Sequence, residues 1–202
     1  MHDPTLAPSP WVRRFASLLR PGGTVLDLAC GSGRHVRWLA ARGFAVTAVD
    51  CDVAALAGLQ GIAAEVLAAD LEAAPWPLPG RRFDAVLVTH YLWRPLFPAL
   101  LGSLADGGVL VYETFADGQQ AIGRPSRPEF LLRPGELLER AAGLRVVAYE
   151  DGFEAGPPPR FVQRIAAWRP DPAEASHPRF RLDGSVATGG PAGAAGALGA
   201  AT

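Results

Sequence analysis

The chain has 202 residues, of which 49% are hydrophobic and 19% are charged, and its formal net charge at pH 7 is −1. This size and composition favour one globular domain, and the near-neutral charge gives no general attraction to nucleic acid or to an anionic membrane. All 19 basic residues are arginine, which excludes any site that needs a lysine, such as a Schiff base, a pyridoxal phosphate anchor or a P-loop.

The sequence also bears on the compartment. No apolar run reaches the ~18 residues of a membrane span, and the polar start Met-His-Asp-Pro is unlike a signal peptide. Two cysteines, Cys30 and Cys51, show no ligand spacing with the four histidines. We therefore expect a cytoplasmic protein with no metal site, in which a disulfide between the two cysteines is possible but not favoured.

The first predicted element follows a loose leader. Residues 1–10 hold three prolines and little apolar pattern. Residues 11–20 carry apolar side chains at the spacing of an amphipathic helix, and Pro21-Gly22-Gly23 ends it.

A strand, a glycine turn and a helix come next. Residues 24–28 are a short apolar run, Gly31-Ser32-Gly33 interrupts it, and residues 34–42 have helical periodicity. Such a turn lets the backbone approach a nucleotide-type cofactor closely. Val36 stands where a dinucleotide fingerprint needs its third glycine, and an acidic residue, Asp27, precedes the turn.

The rest of the chain alternates strands with helices and ends in a hairpin. Further strands are predicted at residues 44–50, 63–69, 83–92, 105–113, 144–151 and 161–168. Further helices are predicted at residues 54–60, 94–104 and 136–142. A Gly/Pro turn at 152–160 separates the last two strands without a helix, so they must pair antiparallel. Residues 115–134 form a long irregular loop, and residues 170–202 form a Gly/Ala/Pro-rich tail that we expect to be disordered.

Three stretches resemble motifs of the class I S-adenosylmethionine-dependent methyltransferases. Asp-Leu-Ala-Cys-Gly-Ser-Gly-Arg at 27–34 resembles motif I, Phe-Asp-Ala-Val-Leu-Val at 83–88 resembles motif IV, and Leu-Ala-Asp-Gly-Gly-Val-Leu-Val at 104–111 resembles motif V. Residues 113–137 look like a small bacterial subgroup of the tellurite-resistance type. The resemblance implies a Rossmann-like fold over residues 11–169, with a mostly parallel seven-stranded sheet, a C-terminal antiparallel hairpin and helices on both faces. A helix at 11–20 would then either cover the pocket or pack on the sheet.

The resemblance also implies which residues hold S-adenosylmethionine. Asp27 would hold the cationic amino group, and Gly31 and Gly33 would lie under the carboxypropyl chain and the ribose. Asp50 would accept hydrogen bonds from the ribose diol, and Asp70 would take the adenine amino group. The cofactor-binding set is Asp27, Ala29, Cys30, Gly31, Gly33, Arg34, Asp50, Cys51, Asp70, Leu71 and Thr89.

The acceptor is less defined. His90 and Tyr91 follow motif IV, where the methyl group would meet the acceptor, and His90 is either a general base or a wall residue. Tyr112, Glu113 and Arg124 are candidates for substrate binding. No recognition domain and no basic face are evident, so we expect a small-molecule acceptor, no nucleic acid or membrane partner, and a monomer or homodimer.

Two other functions stay open at this stage. A nicotinamide-dependent oxidoreductase would need a third glycine at position 36 and a helical crossover after residue 151, and the sequence has neither. A non-catalytic cofactor-binding module or regulatory partner subunit could retain Asp27, Asp50 and Asp70, because these residues predict binding and not turnover.

Overall fold

The computed structural model describes residues 7–173, 178–180 and 182. Its strands are β1 (Thr24–Leu28), β2 (Ala45–Asp50), β3 (Glu65–Ala68), β4 (Phe83–Thr89), β5 (Leu104–Phe115), β6 (Arg145–Glu154) and β7 (Arg160–Trp168). Its α-helices are α1 (Pro10–Phe15), α2 (Arg34–Ala40), α3 (Val53–Ala57), α4 (Phe97–Gly102) and α5 (Glu136–Arg140). Short 3₁₀ turns lie at Ala16–Leu18, Arg94–Leu96, Gln119–Ala121 and Pro128–Phe130.

The strands form one seven-stranded sheet in the order β3-β2-β1-β4-β5-β7-β6. Strands β3, β2, β1, β4 and β5 follow one another in this order and are parallel to each other. Strand β7 runs antiparallel to both β5 and β6. The predicted mostly parallel sheet with a C-terminal antiparallel hairpin is therefore confirmed.

Apolar side chains cover both faces of this sheet, because successive residues of a strand point to opposite sides. Leu26 and Leu28 of β1 belong to a core that includes α4 and α5. Val25 belongs to a second core that includes α1, α2 and α3. Burial on both faces explains why the parallel strands are nearly continuous apolar runs in the sequence.

The N-terminal helix packs on the sheet. Trp11 and Phe15 are buried in the second core, and Trp11 Nε1 donates a hydrogen bond to the carbonyl of Ile165 at 3.2 Å. Of the two roles expected for residues 11–20, packing is the one observed. The helix is shorter than predicted, since it tightens into the 3₁₀ turn Ala16–Leu18 before Pro21.

The end of the predicted leader is also ordered. Ser9 is 3% exposed and caps α1, because its Oγ accepts a hydrogen bond from the Trp11 amide. The same Oγ donates to Glu113 Oε1 at 2.9 Å, and the Ser9 amide donates to His35 Nε2 at 3.1 Å. Residues 1–6 of the leader lie outside the described residues, and the division into leader, domain and tail stays a prediction.

The C-terminal hairpin is longer than predicted. Strands β6 and β7 pair as far as Glu154 and Arg160, which leaves only residues 155–159 for the turn that we placed at 152–160. The extra pairs are held by the Phe153 and Phe161 rings, with centroids 4.9 Å apart, and by the 2.6 Å ion pair between Arg160 Nε and Glu154 Oε2.

Part of the predicted disordered tail packs on this hairpin. The Phe180 ring lies 5.6 Å from the Trp168 ring, between centroids, and the Arg145 guanidinium lies 5.0 Å from it. The predicted disorder of residues 174–177, 181 and 183–202 concerns positions outside the described residues.

Candidate functional site

The glycine turn after β1 has a backbone that depends on its small residues. Ala29, Gly31 and Gly33 have φ values of 53°, 54° and 79°, a region that favours glycine. The Gly33 amide closes the turn on the Cys30 carbonyl at 3.0 Å. A Cβ on Gly33 would lie 2.3 Å from Leu59 Cδ2, so the helix and the chain after α3 approach each other only because this residue is glycine.

Asp27 is a buried carboxylate at the end of β1. Its exposed fraction is 1%, and neither carboxylate oxygen has a hydrogen-bond partner among the described residues. Burial raises the pKa of Asp27 to about 8, although the nearby Arg34 guanidinium opposes that rise and Asp50 adds to it. A buried ionisable group without a hydrogen-bond partner costs folding free energy. Such groups are common in ligand-binding sites.

Asp50 at the end of β2 organises the same turn. Its Oδ2 accepts a hydrogen bond from the Gly31 amide at 2.7 Å, and its Oδ1 accepts one from the Asp52 amide at 2.9 Å. The capping of α3 falls to Asp52, whose Oδ1 accepts from the Ala55 amide. Each Asp50 oxygen can accept a second hydrogen bond, so the carboxylate can still bind a diol.

Asp70 follows β3 and is exposed. Its Oδ1 accepts hydrogen bonds from the amides of Glu72 and Ala73 at 2.9 and 3.0 Å. These two donors lower the pKa of Asp70, because they stabilise its charged form. Asp70 is therefore a fixed carboxylate at the rim of the site.

Strand β4 ends in Thr89, and His90 follows with a φ of 55°. His90 and Ala29 are the non-glycine residues with positive φ in the described part of the chain. The His90 ring stacks on Phe115 with centroids 5.1 Å apart. Strain of this kind concentrates where a side chain must be aimed at a ligand.

These four strand ends surround one cavity of about 710 Å³, which we call the cofactor cavity. Its lining residues are Ala29, Cys30, Gly31, Ser32, Arg34, Asp50, Cys51, Ala69, Asp70, Leu71, Glu72, Thr89, His90 and Tyr91. It lies beyond the carboxyl ends of parallel strands, where open α/β sheets bind their ligands.

All the predicted cofactor residues except Asp27 and Gly33 line this cavity, and so do His90 and Tyr91. Asp27 lies buried behind the turn, and Gly33 packs against Leu59. Sequence reasoning missed Ser32, Ala69 and Glu72. Each of them is adjacent in sequence to a predicted residue. The glycine turn and the end of the third strand therefore indicate these positions as well.

The residues predicted for substrate binding do not line the cofactor cavity. Tyr112 is 2% exposed, stacks on Phe97 and donates its hydroxyl hydrogen to the Tyr91 carbonyl at 2.7 Å. Glu113 is fully buried and bound by Ser9 and Arg164. Arg124 is exposed, and its carbonyl accepts from the Gln119 side chain.

A residue from the hairpin reaches His90. Arg160 Nη1 lies 3.2 Å from His90 Nε2. A guanidinium has donors and no acceptor, so His90 Nε2 must be the unprotonated nitrogen and Nδ1 the protonated one in a neutral ring. This contact takes up the lone pair that a general base would use.

The cysteines are wall residues. Both are free thiols, with Cys30 buried and Cys51 exposed. Burial raises the pKa of the Cys30 thiol, and desolvation together with the Asp50 charge raises the pKa of the Cys51 thiol.

Among the described residues, no group of three or more His, Cys, Asp or Glu side chains could hold a metal ion. Within the same residues, none of the helices has the length and apolarity that crossing a membrane requires.

Comparison with known proteins agrees with this geometry. Residues 25–108 match the family described as "Methyltransferase domain". No curated protein sequence matches the chain. Through this segment and the fold of its sheet, the chain is similar to the class I S-adenosylmethionine-dependent methyltransferases.

Solved structures of methyltransferases and of a cyclase share this fold. TehB from Haemophilus influenzae is similar, with 20% identity and a TM-score of 0.68 over 82% of this chain and 63% of that chain. The present chain thus spans less than two thirds of the length of TehB. Glycopeptide N-methyltransferase MtfA, solved with S-adenosyl-L-homocysteine, is 19% identical with a TM-score of 0.57 over 82% of this chain and 91% of that one. The [4+2]-cyclase SpnF is 17% identical with a TM-score of 0.60 over 84% and 85%.

Proposed function

We propose that this protein transfers the methyl group of S-adenosylmethionine to a small-molecule acceptor. In this proposal Asp27 holds the cationic amino group, directly or through one water molecule. Asp50 accepts hydrogen bonds from the ribose diol, and Asp70 takes the adenine amino group. The cofactor supplies a methyl group already activated by the sulfonium charge, so the chain has mainly to align the acceptor and exclude water.

The observation that carries the proposal is the state of Asp27. A carboxylate that is 1% exposed and lacks a hydrogen-bond partner among the described residues serves no purpose in the fold that an apolar residue could not serve better. A cationic ligand group would remove this penalty. The neighbouring cavity of about 710 Å³ has carboxylates from Asp50 and Asp70 on its wall, as a ligand with a diol and an exocyclic amine requires.

The acceptor end of the cavity lies at His90 and Tyr91. Burial raises the pKa of the Tyr91 hydroxyl, so this group stays protonated and can orient a bound molecule. Arg160 fixes the His90 ring. We assign both residues to positioning the acceptor and keep cytoplasmic location and a monomeric or dimeric state as part of the proposal.

Calorimetric titration tests this function directly. The purified full chain is titrated with S-adenosylmethionine, S-adenosylhomocysteine and, as a control, the oxidised nicotinamide dinucleotide. We expect micromolar binding of the first two and none of the third. Asp50→Ala should weaken both, whereas Asp106→Ala, an exposed carboxylate outside the cavity, should not.

The outcomes separate the three functions that the sequence left open. Binding followed by transfer of labelled methyl to a supplied small molecule supports the proposal. Binding without transfer to any acceptor favours a cofactor-binding partner subunit, and binding of the dinucleotide alone favours an oxidoreductase.

A further inference from the structure

A second, smaller cavity opens beside the cofactor cavity. Its volume is about 210 Å³, and we call it the side cavity. The two cavities share Glu72, His90 and Tyr91, so a molecule in one lies against a molecule in the other. Because the shared residues include those at the end of β4, the side cavity adjoins the proposed methyl-transfer point.

The walls of the side cavity are largely apolar. Four of its lining residues, Leu92, Phe115, Pro125 and Phe130, present hydrocarbon or aromatic surface. We expect this space to take one six-membered ring with a short side chain in preference to a fused pair of rings.

The side cavity has an acidic side chain on its wall. Glu72 is the only Asp, Glu or Arg among the described residues that line it. Arg124 precedes Pro125 in the chain, but it does not line either cavity. A carboxylate beside aromatic faces favours a cationic guest and disfavours a carboxylate, phenolate or thiolate.

A buried hydroxyl without a hydrogen-bond partner lies where the two cavities meet. The Tyr91 hydroxyl oxygen is buried and has no hydrogen-bond partner among the described residues. A buried hydroxyl without a partner costs stability, and a ligand atom that donates to it would remove that cost.

The contact between His90 and Arg160 bears on which kind of nucleophile the methyl acceptor can carry. Its Nε2 already accepts a hydrogen bond from Arg160 Nη1, which always carries its charge. Removing a proton from an alcohol or phenol with this nitrogen would break that contact and place a second positive charge beside the guanidinium. An acceptor whose own lone pair attacks avoids this requirement.

We propose that the side cavity binds the methyl acceptor and that this acceptor is a primary or secondary amine carried on a single ring. The inference rests on the proposed methyl transfer and adds the substrate class. The ring lies between Phe115 and Phe130, and the amine points to Glu72 and the Tyr91 hydroxyl.

The reaction balances without a further reactant. The amine enters as an ammonium ion paired with Glu72 and releases one proton through this exposed carboxylate to solvent. The neutral nitrogen then attacks the methyl carbon, so that a nitrogen–carbon bond forms while the carbon–sulfur bond breaks. The bonding pair stays on sulfur, which leaves as a neutral thioether, and the product departs as a methylated ammonium ion.

The test uses the full chain saturated with S-adenosylhomocysteine, whose binding is measured first. Benzylamine, benzoate, benzyl mercaptan and 1-naphthylmethylamine are then titrated into this complex by calorimetry. The first three probes differ in charge and nucleophile at nearly constant size, and the fourth differs from benzylamine in size alone. Labelled methyl transfer from S-adenosylmethionine to each probe is measured in parallel.

We expect benzylamine to bind at least tenfold more tightly than benzoate or benzyl mercaptan and to accept label. Glu72→Gln should weaken benzylamine at least tenfold, whereas Glu129→Gln, an exposed carboxylate that pairs with Arg127 and does not line the cavity, should leave it unchanged. Phe130→Ala should admit 1-naphthylmethylamine, and Phe130→Leu serves as the milder variant if the alanine variant is unstable.

Results that contradict the amine assignment can be told apart from results that contradict the proposed methyl transfer. If S-adenosylhomocysteine binds but benzoate or benzyl mercaptan is preferred, or Glu72→Gln has no effect on benzylamine, the amine assignment is overturned while methyl transfer stands. If S-adenosylhomocysteine itself does not bind, the proposed function fails before the acceptor is tested.

Discussion

Replacing Asp27 by asparagine should make the protein more stable and, at the same time, weaken its binding of S-adenosylmethionine. The two carboxylate oxygens are buried without a hydrogen-bond partner among the described residues, and burial raises the pKa of Asp27 from 3.8 to about 8. The folded protein therefore holds a proton on Asp27 at neutral pH that the unfolded chain releases.

The magnitude follows from the two pKa values. Between about pH 4 and pH 8 the unfolded chain gains roughly 1.4 kcal/mol per pH unit from ionising this residue, and the folded protein does not. Below about pH 4 Asp27 is protonated in both states and does not lower the free energy of unfolding. As the pH rises from about 4 to 8, ionisation in the unfolded chain lowers the free energy of unfolding progressively. At pH 7 the loss is roughly 4 kcal/mol. Asparagine never ionises, but its unpaired amide donors cost about 1 kcal/mol, which leaves a net gain of about 3 kcal/mol.

Thermal and urea unfolding of both proteins at pH 4.5, 6, 7 and 8 measure this difference. A gain of about 3 kcal/mol at pH 7 corresponds to a rise in the melting temperature of roughly 6–12 °C for a chain of this size. The gain should grow with pH up to 8 and nearly vanish at pH 4.5. Asp106→Asn, an exposed carboxylate whose ion pair with Arg82 is 3.7 Å long, should change stability by less than about 0.5 kcal/mol at any pH.

Cofactor binding by the same variant should move in the opposite direction. Loss of a charged hydrogen-bond acceptor for the amino group costs about 1.5–3 kcal/mol, or about 10- to 100-fold in affinity by calorimetry. A stability difference that does not vary with pH would refute the reasoning on burial. A variant that is stabilised but binds S-adenosylmethionine as the parent does would refute the placement of the amino group.

Three further changes test other parts of the site and its support. Asp50→Ala should weaken S-adenosylmethionine binding by about 1–3 kcal/mol, because the ribose acceptor and the 2.7 Å bond to the Gly31 amide are both lost, and unchanged affinity by calorimetry would contradict the ribose placement. Gly33→Ala should destabilise the fold by about 3 kcal/mol, since its Cβ would lie 2.3 Å from Leu59 Cδ2 at a φ of +79°, whereas Gly43→Ala, at φ +84° with no atom within 4 Å, should cost about 1 kcal/mol in urea unfolding. Burial alone would raise the pKa of Glu136, but hydrogen bonds from Arg94 and the Arg133 amide lower it to about 2. Arg94→Met should therefore cost about 3 kcal/mol at neutral pH. The cost should shrink as the pH falls from 4.5 towards 2, and an equal loss in Arg82→Met would argue against this account.

Much of the fold was predictable because its signals are local. The strand at 24–28, the glycine turn and the helix after it lie within a short stretch of sequence, and the antiparallel hairpin follows from two strands without a helix between them. The predicted helix and strand ends were less accurate. The hairpin extends to Glu154 and Arg160 because the Phe153 ring meets Phe161, and such a contact depends on register, which the composition of a Gly/Pro segment does not reveal.

The grouping of strand ends around the cofactor cavity was predictable for the same reason. Asp50, Asp70 and Thr89 each stand at the carboxyl end of a predicted parallel strand, and parallel strands bring those ends to one edge of a sheet. Tyr112 and Glu113 do not line the cofactor cavity. Strand β5 lies between β4 and β7, and there Tyr112 is buried against Phe97 while Glu113 is paired with Arg164.

The acceptor half could not be predicted because distant segments build it. His90 contacts Arg160, which is 70 residues away, and the side cavity is lined in part by Pro125 and Phe130 from an irregular loop. No periodicity or motif predicts such contacts. In our proposal they bear on the chemistry, because the Arg160 contact occupies His90 Nε2 and the loop aromatics line the side cavity. If the proposal holds, two chains with the same glycine turn can bind the same cofactor and methylate different molecules. The residues to compare when assigning the acceptor are those around Glu72, Phe130 and Arg160.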